Sequence, residues 1–145
     1  CPDVPVIGFS GDGAVGMAVT ELTAIGRGEW PAVTMIVFRN YQWGAEKRNS
    51  TLWYEDNFVG TELDTQVSYA GIAQACGLQG VQAHTMDDLR DALNKAVEDQ
   101  MKHGKTTLIE AMINQELGEP FRRDAMKKPV AVAGISASDM RPQTV

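Results

Sequence analysis

Apolar runs alternate with a segment of helical periodicity in the first part of the chain. Residues 4–10 (VPVIGFS) and 32–39 (AVTMIVFR) lack polar alternation, which is typical of strands covered on both faces. Between them, residues 14–25 place apolar side chains at helical spacing, and Gly26 and Gly28 follow as helix stops. Strand, helix and strand at this length predict a βαβ unit with parallel strands.

The alternation continues in the second half of the chain. Residues 67–76 predict a short helix that stops at Gly77, and residues 80–84 predict a brief strand. Residues 106–113 (TTLIEAMI) predict another buried strand. Residues 41–67 show no clear period, and a loop of that length inside a compact domain is usually functional or mobile.

A longer helix is predicted before the last of these strands. Thr85 is its expected N-cap, with two aspartates in the first turn, and Gly104 is its expected stop. Apolar residues at helical spacing are expected to form its buried face: Leu89, Leu93, Ala96, Val97 and Met101.

The order of elements predicts an α/β fold, an open and mainly parallel sheet with helices on both faces. We assign residues 1–113 to this domain and residues 114–145, which lack periodicity, to a C-terminal extension. The chain starts at Cys1 without an initiator methionine, and a strand follows within a few residues. We therefore expect a piece of a longer chain, truncated on its N-terminal side.

Composition narrows the classes of protein. The chain has 145 residues, of which 43% are hydrophobic and 22% charged, as in ordinary globular proteins. Its net charge of −6 is opposite to that of a nucleic-acid binder, so no nucleic-acid partner is expected. The longest apolar run falls far short of the roughly 20 residues that a membrane helix needs. The two cysteines, Cys1 and Cys76, have no metal-ligand or redox spacing, so a reducing cytoplasm is expected.

Asp12 and Asn40 are the residues that point to chemistry. Each lies at the carboxyl end of a predicted strand, where ligands bind in parallel sheets. One carboxylate and one amide oxygen suit Mg²⁺, which completes its coordination with water and substrate phosphates. Glycines on both sides of Asp12 allow close approach, and the following helix offers N–H groups to an anion. The pair predicts a site for Mg²⁺ and a diphosphate.

Simpler interpretations of both residues stay open at this point. An Asp-Gly pair between apolar runs is also a hairpin signal, although the helical periodicity after it argues against a hairpin. A single Asn after a strand is more often a turn residue than a metal ligand.

Gly11-Asp12-Gly13, followed by Asn40, resembles the cofactor signature of thiamine-diphosphate enzymes. The resemblance implies thiamine diphosphate and Mg²⁺ as cofactors, with Asp12, Asn40 and the carbonyl of Gln42 as metal ligands and the N–H groups of Gly13 and Ala14 on the diphosphate. Arg39 departs from the family, where a second Asn or a small residue is common, but it is not expected to disrupt the site. The implied cofactor-binding residues are Gly11, Asp12, Gly13, Ala14, Asn40, Gln42, Trp43 and Gly44.

Residues 40–47, 104–107 and 119–125 are similar to the sulfoacetaldehyde acetyltransferases within that family. This similarity implies the conversion of sulfoacetaldehyde and phosphate to acetyl phosphate and sulfite. It also implies a homodimer or homotetramer, in which the pyrimidine-binding domain of the same or a neighbouring subunit supplies the catalytic glutamate. No catalytic residue is therefore assigned here, and the chain alone is expected to be inactive.

Other functions remain as alternatives. One is an acetolactate synthase-like or sulfopyruvate decarboxylase-like enzyme acting on a 2-oxo acid. Another is a non-catalytic binding module of the same fold, although the retention of Asp12 and Asn40 speaks against it.

A sulfonate and a phosphate would need local cations in a protein of negative net charge. The candidates are Lys47 and Arg48, just after the metal loop, and then Arg122 and Arg123. Solvated basic pairs are the simpler interpretation of both. Tyr41 and Trp43 are expected either to have a function, by covering the cofactor or helping to form the dimer, or to pack without one.

Overall fold

The computed structural model describes residues 3–116. Arg122, Arg123 and most of the predicted C-terminal extension lie outside the described residues. The elements in chain order are β1 (Ile7–Gly11), α1 (Asp12–Met17), α2 (Glu21–Gly26), β2 (Thr34–Arg39), α3 (Gly44–Trp53), α4 (Tyr69–Ala75), β3 (Gln79–Ala83), α5 (Met86–His103) and β4 (Thr107–Met112).

All four strands form one parallel sheet in the order β1-β2-β4-β3. The predicted parallel α/β sheet is therefore confirmed, with β1 and β2 as neighbours. Their register pairs Gly11 with Phe38. As a result the residues that follow β1 and β2 emerge side by side at one edge of the sheet.

Helices cover both faces of the sheet, as the uninterrupted apolar strands predict. On one face Val37 and Leu108 pack with Val15 of α1, Leu22 of α2 and Tyr69 of α4. On the other face α5 packs onto the sheet through a second apolar cluster, made of Ile36, Ala83, Ala96, Ile109 and Ala111. No helix among residues 3–116 is long and apolar enough to cross a membrane.

The single helix predicted over residues 14–25 is wrong, because the segment forms two short helices. Helix α1 ends at its C-cap, Ala18, which has φ −114°. Hydrogen bonds between residues three apart then connect it to α2, from Glu21 N–H to Ala18 O and from Leu22 N–H to Val19 O. The break preserves the predicted apolar face, since Val15 and Leu22 are both buried.

The prediction of a loop over residues 41–67 misses α3. The sequence of this helix, GAEKRNSTLW, has few apolar residues at helical spacing, so periodicity gave no signal. Its first turn is nevertheless rich in good helix formers, Ala45, Glu46, Lys47 and Arg48.

The caps of α4 and α5 are as predicted. Gly77 has φ +86°, and Gly104 has φ +63° as the C-cap of α5. Thr85 and Asp88 form a capping box at the start of α5. At the other end of that helix Met101 is 40% exposed, contrary to the prediction. The last helical turn buries Gln100 instead, and the Gln100 Oε1 accepts a hydrogen bond from the Thr34 hydroxyl at 3.0 Å.

Candidate functional site

Asp12 begins α1 directly after β1 and is 2% exposed. Its Oδ2 accepts hydrogen bonds from Tyr41 N–H at 2.7 Å, Asn40 N–H at 3.1 Å and Arg39 Nη1 at 3.3 Å. Its Oδ1 accepts one bond, from Gly13 N–H at 2.9 Å. The structure thus brings together Asp12 and the segment after β2, as the spacing of Asp12 and Asn40 predicts.

A sharp turn at Tyr41 places the Asn40 side chain beside the Gln42 backbone. Tyr41 has φ +60°, which a residue other than glycine rarely adopts, and the Asn40 Oδ1 accepts the Gln42 N–H at 3.3 Å. Gln42 also forms an isolated antiparallel bridge with Glu62, through bonds from Trp43 N–H to Thr61 O and from Leu63 N–H to Tyr41 O. In that pattern the carbonyl of Gln42 points away from Glu62.

An open cleft of about 500 Å³ lies against these residues. Across it the Trp43 ring is so close to Gly13 that a Cβ on Gly13 would lie 2.8 Å from Trp43 Cε3. A side chain at position 13 would therefore require the ring to move. The residues predicted to bind the cofactor all line the cleft: Gly11, Asp12, Gly13, Ala14, Asn40, Gln42, Trp43 and Gly44.

The residues that line this cleft carry oxygen atoms of the kind that a hard divalent cation binds. The Asp12 Oδ1, with one bonded donor, and the Asn40 Oδ1 each keep a lone pair. The buried Gln42 Oε1 has no hydrogen-bond partner among residues 3–116. Carboxylate, amide and carbonyl oxygens are the ligand types that Mg²⁺ takes from proteins.

Sequence analysis missed two features of the site. It did not predict that Arg39 is buried in an ion pair, and it did not identify Glu110 at all. Both side chains are 1% exposed, and Arg39 Nε lies 3.5 Å from Glu110 Oε1. The other Glu110 oxygen accepts bonds from Ser68 Oγ at 3.0 Å, Gln82 Nε2 at 3.1 Å and Ala70 N–H at 3.2 Å. A glutamate inside an apolar strand was the available signal, because such a charge needs a partner.

Lys47 and Arg48, the basic residues predicted to bind substrate, have different surroundings in the structure. Lys47 forms an ion pair with Glu62 and lies 5.2 Å from the centre of the Phe58 ring. The hydrogen bond from Lys47 lowers the pKa of Glu62. Arg48 lines the cleft. The side chains of His84 and His103 are exposed on the protein surface.

Tyr41 and Trp43, which had two interpretations, have separate contacts. The Tyr41 ring stacks on the Arg39 guanidinium, with 4.3 Å between Arg39 Cζ and the ring centre, whereas Trp43 forms a wall of the cleft. The Tyr69 ring centre lies 5.0 Å from Arg39 Cζ, and burial raises the pKa of the Tyr69 hydroxyl.

Comparison with known families and proteins gives matches over most of the chain. The model of the family described as thiamine pyrophosphate enzyme, C-terminal TPP binding domain, matches residues 1–111. Among solved structures, a benzoylformate decarboxylase from Polynucleobacter necessarius has a TM-score of 0.66 at 22% identity, over 82% of this chain and 21% of that one. A thiamine diphosphate-dependent 4-hydroxybenzoylformate decarboxylase from Rhodococcus jostii has a TM-score of 0.67 at 25% identity, over 81% and 21%.

Curated proteins include more similar sequences. A sulfoacetaldehyde acetyltransferase of Roseovarius nubinhibens is 81% identical over 145 residues, which are 100% of this chain and 24% of that protein. One of Alcaligenes xylosoxydans xylosoxydans is 48% identical over 129 residues, 89% of this chain and 21% of that protein. The chain thus spans about a quarter of the length of the curated relatives that it matches.

Proposed function

The chain belongs to the thiamine pyrophosphate enzymes, as their C-terminal TPP-binding domain, and on that premise we propose that it forms the metal and diphosphate site of an acetyltransferase. The full enzyme would convert sulfoacetaldehyde and phosphate to acetyl phosphate and sulfite. The observation that carries the proposal is the Asp12 carboxylate, which is held through Oδ2 and keeps a lone pair on Oδ1, beside Asn40 in the cleft.

The metal ligands are assigned to the Asp12 and Asn40 side chains and to the Gln42 carbonyl. Their support is the turn at Tyr41, which brings the last two ligands to the carboxylate. Mg²⁺ held there would complete its coordination with diphosphate oxygens and water. When bound, the thiazolium ring of the cofactor supplies the carbanion chemistry, and this chain supplies position and charge.

The cleft residues after Asp12 are assigned to the diphosphate. Gly13 allows the ligand and the Trp43 ring to approach the backbone, since a side chain there would meet the ring at 2.8 Å. The N–H of Ala14 and that of Gly13 lie at the start of α1, where backbone donors favour an anion. The Gly13 N–H donates to Asp12 Oδ1 in the structure, which places this N–H beside the carboxylate in the cleft.

Arg48 is assigned to the oxyanion groups of sulfoacetaldehyde or phosphate. It lines the cleft, and a guanidinium fork matches sulfonate and phosphate geometry. Lys47 is a weaker candidate, because the residues that line the cleft include Arg48 but not Lys47. Arg122 and Arg123, outside the described residues, stay candidates from the sequence.

The partner is assigned to a pyrimidine-binding domain of the same or a neighbouring subunit, in a cytoplasmic homodimer or homotetramer. An exposed apolar surface beside the cleft supports this. The rings of Phe9 and Phe38 stack 6.1 Å apart while 67% and 38% exposed, and Met17 is 73% exposed. Phe38 and Met17 also line the cleft, so a domain covering them would close over the cofactor.

A product assay tests the proposal on an enzyme of the relatives' full length that carries this chain. With thiamine diphosphate and Mg²⁺, sulfoacetaldehyde plus phosphate should release sulfite and acetyl phosphate, and the release should stop without either cofactor. Pyruvate and sulfopyruvate serve as competing substrates. Release of CO₂ from an oxo acid without sulfite from the aldehyde would replace the acetyltransferase with a decarboxylase or carboligase. Cofactor binding with no product from any substrate would indicate a non-catalytic module.

A further inference from the structure

Arg39 is a buried cation with polar contacts to four residues. It ends β2 and is 1% exposed. Besides Asp12 and Glu110, its Nη2 donates to the carbonyl of Asp64 at 2.6 Å and to that of Val67 at 3.0 Å. A buried guanidinium persists only when charges and carbonyls of this kind replace its water.

The planar fork of Arg39 is what allows these contacts at once. Nη1 reaches Asp12, Nη2 reaches the two carbonyls, and Nε faces Glu110 Oε1 at 3.5 Å, an ion-pair contact rather than a hydrogen bond. The rings of Tyr41 and Tyr69 lie 4.3 and 5.0 Å from the guanidinium carbon. Lysine has a single ammonium point on a flexible stem and cannot make this set of contacts.

These contacts decide which oxygen of Asp12 is left for a metal. Oδ2 accepts from Arg39 Nη1 and from the N–H groups of Asn40 and Tyr41, which exceeds the two lone pairs of one oxygen. Oδ1 accepts only from Gly13 among the described residues. Arg39 and the two N–H groups together therefore hold Asp12 by Oδ2, and Oδ1 is the oxygen that keeps a lone pair for a metal.

We propose that Arg39 is a positioning residue for the magnesium site. Its guanidinium orients the Asp12 carboxylate and fixes residues 64–67 against the turn at Tyr41. The proposal rests on the proposed metal site. It gives an outcome opposite to that of charge alone, since removing a cation beside Asp12 would by Coulomb's law strengthen the binding of Mg²⁺. Loss of orientation weakens that binding, and groups that orient metal ligands typically contribute about 10–100-fold in affinity.

The test is the affinity for Mg²⁺ of the full-length apoenzyme, titrated calorimetrically at saturating thiamine diphosphate. Arg39→Lys keeps the charge and loses the fork, so its affinity should fall by about 10–100-fold. In assays the concentration of Mg²⁺ for half-maximal activity should rise while kcat at saturating Mg²⁺ stays near that of the wild type. The matched control is Arg27→Lys, at a side chain 62% exposed, which should change neither value.

A second variant keeps the proposal testable if Arg39→Lys fails to fold. Arg39→Met/Glu110→Gln removes one buried cation and one buried anion, so the net charge around Asp12 is unchanged. It too should bind Mg²⁺ at least about tenfold more weakly, whereas Glu110→Gln alone should change the affinity less. Wild-type or tighter affinity in a folded Arg39→Lys or in the double variant would overturn the role of Arg39.

Asp12→Asn separates this inference from the proposed function. If Asp12→Asn loses Mg²⁺ binding while Arg39→Lys retains it, the metal site stands and the positioning role is wrong. If Asp12→Asn retains wild-type binding, the metal site itself is wrong, and the role of Arg39 falls with it.

Discussion

The Oδ2 atom of Asp12 accepts the backbone N–H of Tyr41 at 2.7 Å, although 28 residues separate them in sequence. This bond connects the turn after β1 to the turn after β2. Because Tyr41 has φ +60°, the bond also supports a backbone conformation that costs about 1–2 kcal/mol for a residue other than glycine. Asp12 thus stabilises the turn at Tyr41 before any metal is bound.

The fold should therefore depend on Asp12. Asp12→Ala would leave buried Arg39 without this carboxylate and three backbone N–H groups without this acceptor, so the free energy of unfolding should fall by about 3–5 kcal/mol. Asp12→Asn keeps an acceptor oxygen and should cost less. Urea unfolding of both variants measures the difference, with Asp91→Asn on the exposed side of α5 as the control. Equal stability of Asp12→Ala and the wild type would contradict this account.

Gly13→Ala should disturb the cofactor cleft. The added Cβ would lie 2.8 Å from the Trp43 ring, and such overpacking costs about 1–3 kcal/mol or moves the ring. Displacement of the ring should change the tryptophan fluorescence and weaken the binding of thiamine diphosphate in a titration. Gly8→Ala is the matched control, since a Cβ there meets nothing within 4 Å. An unaltered titration for Gly13→Ala would mean that close approach at this glycine is unimportant.

Arg48 and Lys47 should differ when each is replaced by alanine. Arg48→Ala should raise the KM for phosphate or sulfoacetaldehyde, because a charge-assisted contact to an oxyanion is worth about 1.5–3 kcal/mol. Lys47→Ala should leave both KM values nearly unchanged, since Lys47 is not among the residues that line the cleft. Steady-state kinetics of the full-length enzyme measures these values. A rise in KM for Lys47→Ala alone would reverse the assignment.

The capping box of α5 should make stability depend on pH in the acid range. Hydrogen bonds from His84 N–H and from Thr85 lower the pKa of Asp88 below its ordinary value of 3.8. The ionised carboxylate is the form that stabilises the fold. Its contribution is therefore full above the ordinary value and is lost as the pH falls through the lower folded value.

Thermal unfolding of the wild type and Asp88→Asn across this range measures that contribution. The difference in Tm between them should be largest near neutral pH and should shrink as Asp88 becomes protonated. Asp87→Asn, in the same helical turn but outside the capping box, is the control. A difference in Tm that grows toward acid pH would contradict the sign of the expected effect.

The sequence predicted the strands and the approach of Asp12 to Asn40, because apolar runs and strand ends are local signals. It did not predict the ion pair of Arg39 and Glu110. That pair depends on the register of β2 and β4, in which Val37 pairs with Glu110 and Arg39 with Met112, so the two charged side chains lie diagonally on one face. Register between strands that are 70 residues apart leaves no trace in periodicity.

Helix α3 and the split of α1 from α2 were missed for different reasons. The α3 sequence is mostly polar, so its helix follows from the turn at Tyr41 and from good helix formers rather than from an apolar stripe. The break at Ala18 keeps the spacing of buried residues, and periodicity therefore could not locate it.

The order of the strands has a consequence for how this domain acquires its structure during synthesis. β4 follows the other strands in the chain but lies inside the sheet, between β2 and β3. Until the ribosome has released residue 112, β2 and β3 have no strand to join them, and Arg39 has no Glu110 to face. Nascent chains that end before β4 should expose two open strand edges, which chaperones and aggregation partners recognise. Completion of the sheet should then wait for β4, although β1 and β2 can pair with each other before it.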